Sequence, residues 1–209
     1  MKKTISVFLV VVLISVLFMT PLFNVSAETT KVPQPSEWET AGSNITVSQA
    51  QEGGVKLSFN NTVWGSDVVG TKNAYKLDGL YLHIANMVSN AVNKSLNIAF
   101  SKTKLDLTEN GILFLVNTFG ADIYKQKGGA TIGNPLGVSI GLLSEPNPRQ
   151  GASILFVKNN DGSFTFYAAG TNTTSGTIPK NEIEEIFGND DPSVYITLND
   201  NRWGHGAAE

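Results

Sequence analysis

The sequence predicts an all-β fold: an antiparallel two-sheet β-sandwich with one short helix near residues 181–187. From residue 42 onwards, short runs with period-two alternation or with β-branched and aromatic residues follow one another. Gly, Asn, Asp and Pro separate these runs, and the chain contains 20 glycines. Helical periodicity is scarce, so the strands must bury their apolar faces against a second sheet.

Nine runs are predicted to be strands, and one pair of them forms the clearest hairpin. That pair is joined by Asn-Asn-Asp-Gly at 159–162, which supplies the positive φ angles of a tight turn. A second turn is predicted at Asp78-Gly79, after which Leu82 and Ile84 share one strand face and Tyr81 and His83 the other. The predicted strands are 45–49, 55–59, 80–85, 96–100, 112–117, 137–143, 153–158, 164–168 and 194–198.

The segment after residue 81 allows a helical alternative, because several apolar residues between 82 and 92 fall near helical spacing. Three asparagines in the same segment oppose a helix, since Asn competes for backbone hydrogen bonds. A strand followed by a loop is therefore expected. A lone His83 on such a strand is expected to be an exposed or hydrogen-bonded strand residue rather than a base.

The N-terminus reads as a signal peptide over residues 1–27. Two lysines precede an uncharged apolar run at 5–19, and Val25 and Ala27 occupy the −3 and −1 positions of a cleavage site. An uncleaved membrane anchor is the alternative, but the run is shorter than the ~20 residues that span a bilayer. Residues 28–41 are expected to be an extended leader with Trp38 as an anchor, and 42–209 the sandwich domain. The mature protein is expected to be secreted, with no stable membrane insertion.

Charge and composition exclude several classes of function. Removing the two lysines of residues 1–27 from the 15 Lys and Arg leaves 13 basic against 18 acidic side chains, a net charge of −5. This disfavours nucleic acid and anionic membrane surfaces as partners. Without cysteine and with two histidines, a zinc site is not expected. No cofactor is predicted, and the alternative is calcium at the acidic loop Asn189-Asp190-Asp191.

The segment "PKNEIEEIFG", residues 179–188, groups three carboxylates as a glycoside hydrolase does. Glu184 and Glu185 are adjacent, however, so on a strand they would point to opposite faces. A helix explains the segment better, with Asn181 as N-cap, the glutamates in the first turn and Gly188 ending the helix. No catalytic residue is therefore predicted.

Three segments resemble the concanavalin-A-like lectin/glucanase jelly-roll superfamily, as found in bacterial extracellular sugar-binding modules. They are "KLDGLYL" at 76–82, "LGVSIGLLSEP" at 136–146 and the hairpin at 152–167. The resemblance spans about residues 42–198 and implies a jelly roll that binds or cleaves glycans. The Glu-x-Asp-x-x-Glu strand of the glucanase branch has no counterpart here. Such domains usually continue past the strand at 194–198, so either the sandwich closes with fewer strands or the domain is truncated.

Sugar recognition requires aromatic faces for pyranose rings together with short polar groups for the hydroxyls. Trp64 with Asn61 and Asp67 has this composition, although a tryptophan such as Trp64 more often fills the core. Tyr167 and Trp203 are the other candidate ligand-binding residues. The sequence therefore predicts a secreted, non-catalytic module that binds an extracellular glycan. The alternatives are a glycan-cleaving hydrolase or lyase on the same fold and a surface or matrix protein-interaction domain, and the oligomeric state is left open.

Overall fold

The structure is a computed structural model that describes residues 33–51, 53–59, 67–87, 95–117, 120–127, 130–132, 149–169 and 173–201. Pro33–Glu209 form one compact unit. The signal peptide predicted at 1–27, the strand predicted at 137–143 and the loop at 144–146 lie outside the described residues. No helix within the described residues is both long and apolar enough to cross a membrane.

The described residues form fourteen strands and one α-helix. A 3₁₀ turn at Pro35–Glu37 precedes them. In chain order the elements are β1 (Trp38–Ala41), β2 (Ile45–Gln49), β3 (Val55–Phe59), β4 (Val68–Thr71), β5 (Tyr75–Lys76), β6 (Tyr81–Met87), β7 (Ser95–Ser101), β8 (Gly111–Asn117), β9 (Gly120–Lys127), β10 (Ala130–Ile132), β11 (Arg149–Lys158), β12 (Phe164–Ala169), β13 (Thr173–Ile178), α1 (Lys180–Phe187) and β14 (Ser193–Asn201).

These strands build two antiparallel sheets and a separate hairpin. The large sheet has the order β1-β4-β14-β7-β8-β9-β10, and β5 also pairs with β14. The small sheet has the order β13-β12-β11-β6, and β2 pairs only with β3. In both sheets, strands distant in sequence lie side by side, as in β14 between β4 and β7. The predicted all-β, antiparallel sandwich with one short helix is confirmed.

The core lies between the two sheets and is dominated by phenylalanine. Phe100 and Phe114 of the large sheet meet Phe156 of the small sheet edge-on, with ring centroids 4.9 and 6.0 Å apart. Phe114 also meets Phe166 at 5.9 Å with perpendicular ring planes. All four side chains are fully buried, and edge-to-face pairs stabilise a core beyond the area they bury. The inward face of each sheet is therefore committed to packing.

The strand predictions agree with the structure wherever the residues are described. β2 and β3 begin and end as predicted, and the hairpin between β11 and β12 turns at 159–162, with Gly162 at φ +83°. The turn at Asp78-Gly79 is also present, where Asp78 Oδ1 accepts a hydrogen bond of 2.8 Å from the backbone N–H of Lys158. Several strands were not predicted, among them β1, β4, β9 and β13.

The helix is confirmed, but its start differs from the prediction. Helix α1 begins at Lys180 with Pro179 as the N-cap residue, so the prediction of Asn181 at that position is wrong. Pro179 has φ −58°, already suited to a helix entry, and its carbonyl accepts hydrogen bonds from the next turn. Only Glu182 of the three glutamates lies in the first turn. The helix ends as expected at Gly188, which has φ +82° and donates to the carbonyl of Glu184.

The large sheet includes residues that precede the boundary predicted at residue 42. Trp38–Ala41 pair with β4, and Trp38 is buried in the core between the sheets. The predicted leader of residues 28–41 therefore ends in a strand rather than remaining outside the domain. Trp38, the predicted anchor, is buried in this core, and burying a large aromatic side chain stabilises the strand that carries it.

Candidate functional site

The outward face of the small sheet carries the exposed aromatic residues. On β6, Leu82 and Ile84 pack against the core while Tyr81 and His83 point outward, so the residues divide between two faces as the alternation of the sequence predicts. Tyr81 is 52% exposed and Tyr167 on β12 is 40% exposed, and they are the exposed large hydrophobic residues of the described chain. Exposed large aromatic side chains that share one face indicate a binding surface rather than scattered surface residues.

The two tyrosines lie in one row that crosses all four strands. Leu155 of β11 is the cross-strand partner of both Tyr81 and Tyr167, and Tyr167 is also paired with Ser175 of β13. We call Tyr81, Leu155, Tyr167 and Ser175 the tyrosine row. One strand separates the two tyrosines, so their backbones lie about 10 Å apart, two strand spacings. The row is thus a surface long enough for more than one small ring.

Ser153 of β11 holds the two aromatic side chains of β6. Its Oγ lies 2.9 Å from His83 Nδ1 and 3.1 Å from the Tyr81 hydroxyl. A serine hydroxyl can donate one hydrogen bond and accept another, so it can serve both groups. The serine Oγ stays close to the sheet, which means that the Tyr81 side chain lies along the sheet to reach it. The rings of Tyr81 and His83 are parallel within 5°, with centroids 6.2 Å apart.

The Ser153–His83 contact also has the geometry of a nucleophile and its base, as in a hydrolase. A hydrolase would need a third group to orient the histidine and donors for an oxyanion. The four strands of the small sheet contain no Asp or Glu to orient His83. The backbone of β11 around Ser153 is paired on both sides, with β6 and with β12. The contact therefore positions the side chains of β6 and β11, and His83 has no carboxylate partner from the strands of its own sheet.

Uncharged hydrogen-bonding side chains surround the tyrosine row. His83 and Ser153 lie on one flank, and Thr165 and Thr177, a cross-strand pair on β12 and β13, lie on the other. The charged Lys158 at the end of β11 already faces a carboxylate, with its Nζ 3.5 Å from Asp190 Oδ2. The face thus combines aromatic rings with hydroxyl and imidazole groups and carries no acidic residue on its strands.

Of the candidate ligand residues taken from the sequence, the structure describes Tyr167 and Asp67, and these two are separated. Tyr167 lies in the tyrosine row. Asp67 precedes β4 of the large sheet and is buried, where its Oδ2 accepts a hydrogen bond of 3.1 Å from Asn44. Because Tyr167 points away from the large sheet, these two residues do not share a surface. Trp64, Asn61 and Trp203 lie outside the described residues.

A buried polar layer on the large sheet was not predicted. Asn97, Thr197 and Asn199 are fully buried on the face of β7 and β14 that points away from the core. The Asn199 amide donates to the backbone carbonyl of Asp67, and Asn97 Nδ2 donates to Asn199 Oδ1 at 3.4 Å. Within the described residues, Asn97 Oδ1 and Thr197 Oγ1 have no hydrogen-bond partner. In sequence these residues alternate with apolar ones, a pattern that normally indicates solvent exposure.

The segment between β7 and β8 explains part of this burial. Leu107 of that segment is buried against Ala99 and Leu113 on the outward side of the large sheet, with Leu105 packed beside them. The sequence contains no periodic signal for such a contact, because a loop that covers a sheet face is placed by tertiary packing.

The acidic loop after the helix faces lysines. Asp191 Oδ2 lies 2.6 Å from Lys76 Nζ, and this hydrogen bond lowers the pKa of the Asp191 carboxyl below its ordinary value. Asp190 lies 3.5 Å from Lys158 and 3.7 Å from Lys180. Within the described residues, no group of three or more His, Asp or Glu side chains is placed to hold a metal ion.

Comparison with known proteins gives similarities of structure. No family model matches the chain, and no curated protein matches its sequence. The carbohydrate-binding module CBM66 from Bacillus subtilis is 10% identical, with a TM-score of 0.45 over 77% of this chain and 86% of that chain. The Bacillus licheniformis beta-glucanase is 16% identical, with a TM-score of 0.41 over 78% and 79%. A native glycosidic hydrolase is 14% identical, with a TM-score of 0.37 over 78% and 77%.

Proposed function

We propose that this chain is an exported, non-catalytic glycan-binding module of the concanavalin-A-like jelly-roll type, and that it binds its glycan on the outward face of the small sheet. The observation that carries the proposal is the tyrosine row, in which two exposed tyrosines share one uncharged strand face. A tyrosine offers an apolar ring face and a hydroxyl, which match the C–H surface and the hydroxyls of a pyranose. Secretion and the signal peptide at 1–27 are part of the proposal.

The chemistry of the same face favours binding over cleavage. Glycoside hydrolysis in most families uses two carboxyl groups placed on either side of the scissile bond. None of the strands β6, β11, β12 and β13 contains Asp or Glu. The glutamates of α1 that resemble a catalytic group belong to other contacts, since Glu182 Oε1 lies 2.9 Å from Lys125 Nζ and Glu184 pairs with Lys180. A ligand on this face therefore meets groups that bind sugars and no acid–base pair from the strands beneath it.

A protein-interaction domain is the other alternative, and the composition of the face argues against it. The fully buried centre of a protein-binding patch is more apolar than the rest of the surface and is depleted of charge. Here Ser153, Thr165 and Ser175 interrupt the aromatic residues, and the hydroxyls of Thr165 and Ser153 already take part in hydrogen bonds. Hydroxyl groups between ring faces suit a hydroxyl-rich ligand better than an apolar protein surface.

The test is a glycan array and affinity gel electrophoresis with the purified protein and its single variants. We expect retardation by at least one soluble polysaccharide and about tenfold weaker binding in Tyr167→Ala, because truncating a central tyrosine typically costs more than about 1 kcal/mol. Tyr167→Phe keeps the ring and should keep most of the affinity. Thr46→Ala, exposed on the hairpin of β2 and β3, is the control.

Four results would contradict parts of this proposal. Absence of binding to every glycan would reject the function, and release of new reducing ends from a bound polysaccharide would reject its non-catalytic character. If Trp64→Ala or Trp203→Ala abolished binding while Tyr167→Ala did not, glycan binding would stand and the site would move to those segments. Binding is expected to persist in EDTA, and a calcium-reversible loss would show that the calcium alternative is correct.

A further inference from the structure

We infer that the ligand is a neutral, unbranched β-linked glycan whose single chain crosses the strands along the tyrosine row. This inference rests on the proposed function and specifies the class of glycan and its direction on the sheet.

The distance between the two tyrosines matches the repeat of a glycan chain. Tyr81 and Tyr167 are both cross-strand partners of Leu155, so their backbones are about 10 Å apart along a line perpendicular to the strands. That distance is close to the length of two pyranose rings in an extended chain. In a β-1,4-linked chain each sugar is turned over relative to the next, so alternate sugars present the same face to a surface. Two tyrosines at this spacing can therefore stack on the first and third sugars, with the second above Leu155.

Polar side chains lie on both sides of the tyrosine row. His83 and Ser153 flank it on one side, two residues further along their strands, and Thr165 and Thr177 flank it on the other. The two tyrosine rings thus lie along the centre, with Leu155 between them. Each border carries hydroxyl or imidazole groups, although the β11 position beside Thr165 is Val157. An extended glycan bound along the row has its hydroxyls at the edges of a ribbon, where these side chains lie. A chain running parallel to the strands would meet only one tyrosine.

The strands of the small sheet carry few charged side chains. No Asp or Glu occurs on the four strands, and their basic residues are Arg149 and Lys158 at the two ends of β11. Lys158 is near Asp190. A polyanion such as polyuronate would meet no array of cations along the row, and a polycation would meet no carboxylate. The face is therefore matched to a neutral chain.

The twist of the small sheet changes the relative orientation of the two tyrosines. Neighbouring strands rotate by roughly 20–25°, so β6 and β12, with β11 between them, differ by about 40–50° in direction. The two tyrosines consequently do not present one flat plane. A single flexible chain can follow this twist, whereas the flat surface of a crystalline polysaccharide would contact one tyrosine at a time. The ligand is therefore a soluble single chain.

The test is a calorimetric titration of the purified protein with linear β-1,4-linked gluco-, manno- and xylo-oligosaccharides of increasing length. Binding should be weak for one or two sugars and should increase at least about tenfold when the chain reaches the three sugars needed to span both tyrosines. Tyr81→Ala and Tyr167→Ala should each remove that increase, because either change leaves only one stacking position. Thr46→Ala should retain it. Thermal midpoints of the variants should match wild type, since both tyrosines are exposed.

The alternatives give distinct results. Equal affinity for a monosaccharide and a long chain would mean that a single sugar or a chain end is recognised, which overturns this inference while glycan binding stands. Titrations with α-linked, branched and polyanionic oligosaccharides complete the comparison, and tighter binding of any of these would overturn the inference in the same way. Wild-type affinity in both tyrosine variants would show that the glycan binds elsewhere. Failure to bind any glycan would reject the proposed function itself.

Discussion

Replacing Gly176 by alanine tests how the edge strand of the small sheet packs on the core. Gly176 of β13 is the cross-strand partner of Phe166, and a Cβ added at Gly176 would lie 2.5 Å from Phe166 Cζ and 2.7 Å from Cε1. Real Cβ contacts are not this short, so the ring would have to move. Phe166 is fully buried and meets Phe114 edge-on at 5.9 Å, which leaves it little space. The clash therefore has to be absorbed by the core.

The size of the effect follows from two opposing terms. Overpacking a close-packed core costs about 1–3 kcal/mol. Replacing glycine within a strand recovers about 0.5–1 kcal/mol, because alanine has less conformational freedom to lose on folding. We expect Gly176→Ala to lower the free energy of unfolding by about 0.5–2 kcal/mol, or the thermal midpoint by about 1–8 °C for a domain of this size.

The assay is thermal and urea unfolding followed by circular dichroism. Ser175→Ala is the matched control, since Ser175 is the neighbouring residue on the exposed face and its change should stay within about 0.5 kcal/mol. In a double-mutant cycle, Phe166→Leu should relieve part of the cost of Gly176→Ala. A Gly176→Ala protein as stable as wild type would refute the contact between this glycine and the phenylalanine ring.

Two further predictions concern charged groups. The Ser163 hydroxyl and backbone N–H donate hydrogen bonds to the Asp161 carboxylate and lower its pKa below the ordinary 3.8. The ionised carboxylate therefore stabilises the fold above pH 3.8, and this stabilisation is lost as the pH falls through the folded-state pKa. Asp161→Asn should make stability less dependent on pH below about 4 in urea unfolding, and an unchanged acid profile would contradict this. Lys125→Met should lower the free energy of unfolding by about 1–3 kcal/mol, a cost between those typical of exposed and of buried ion pairs. The reason is that the largely buried Glu182 carboxylate loses its ammonium partner at 2.9 Å. Glu182→Gln added to Lys125→Met should recover part of this loss, and additive costs would show that the pair is not coupled.

Local signals in the sequence were sufficient for elements with strong chemistry of their own. The turn at 159–162 has glycine where φ is positive, and α1 ends at Gly188 for the same reason. The strands β4 and β9 lack such signals. β4 has only four residues, and the sequence of β9, Gly120–Lys127, is mostly polar. Both become strands because neighbours in the sheet supply their hydrogen bonds.

The candidate site divides in the same way. The alternation on β6 predicts that Tyr81 and His83 share one face, and the structure confirms this and shows that the face points outward. The role of Ser153 was not predictable, because it depends on the pairing of β11 with β6 across 70 residues of chain. Asp67 was selected for its polar neighbours in sequence, but the structure buries it in contact with Asn44.

The sequence by itself determined the fold class, the shared face of the aromatic side chains on β6 and the helix that contains the glutamates. These features depend on period-two alternation, turn residues and helix-end chemistry, which act over a few neighbouring residues. Only the tertiary structure decided that Tyr81 and Tyr167 share one row, because strand order and register set which distant residues face each other. It also decided that Asn97 and Asn199 are buried, because residues far away in sequence cover them and alternation alone cannot distinguish a covered face from a solvated one.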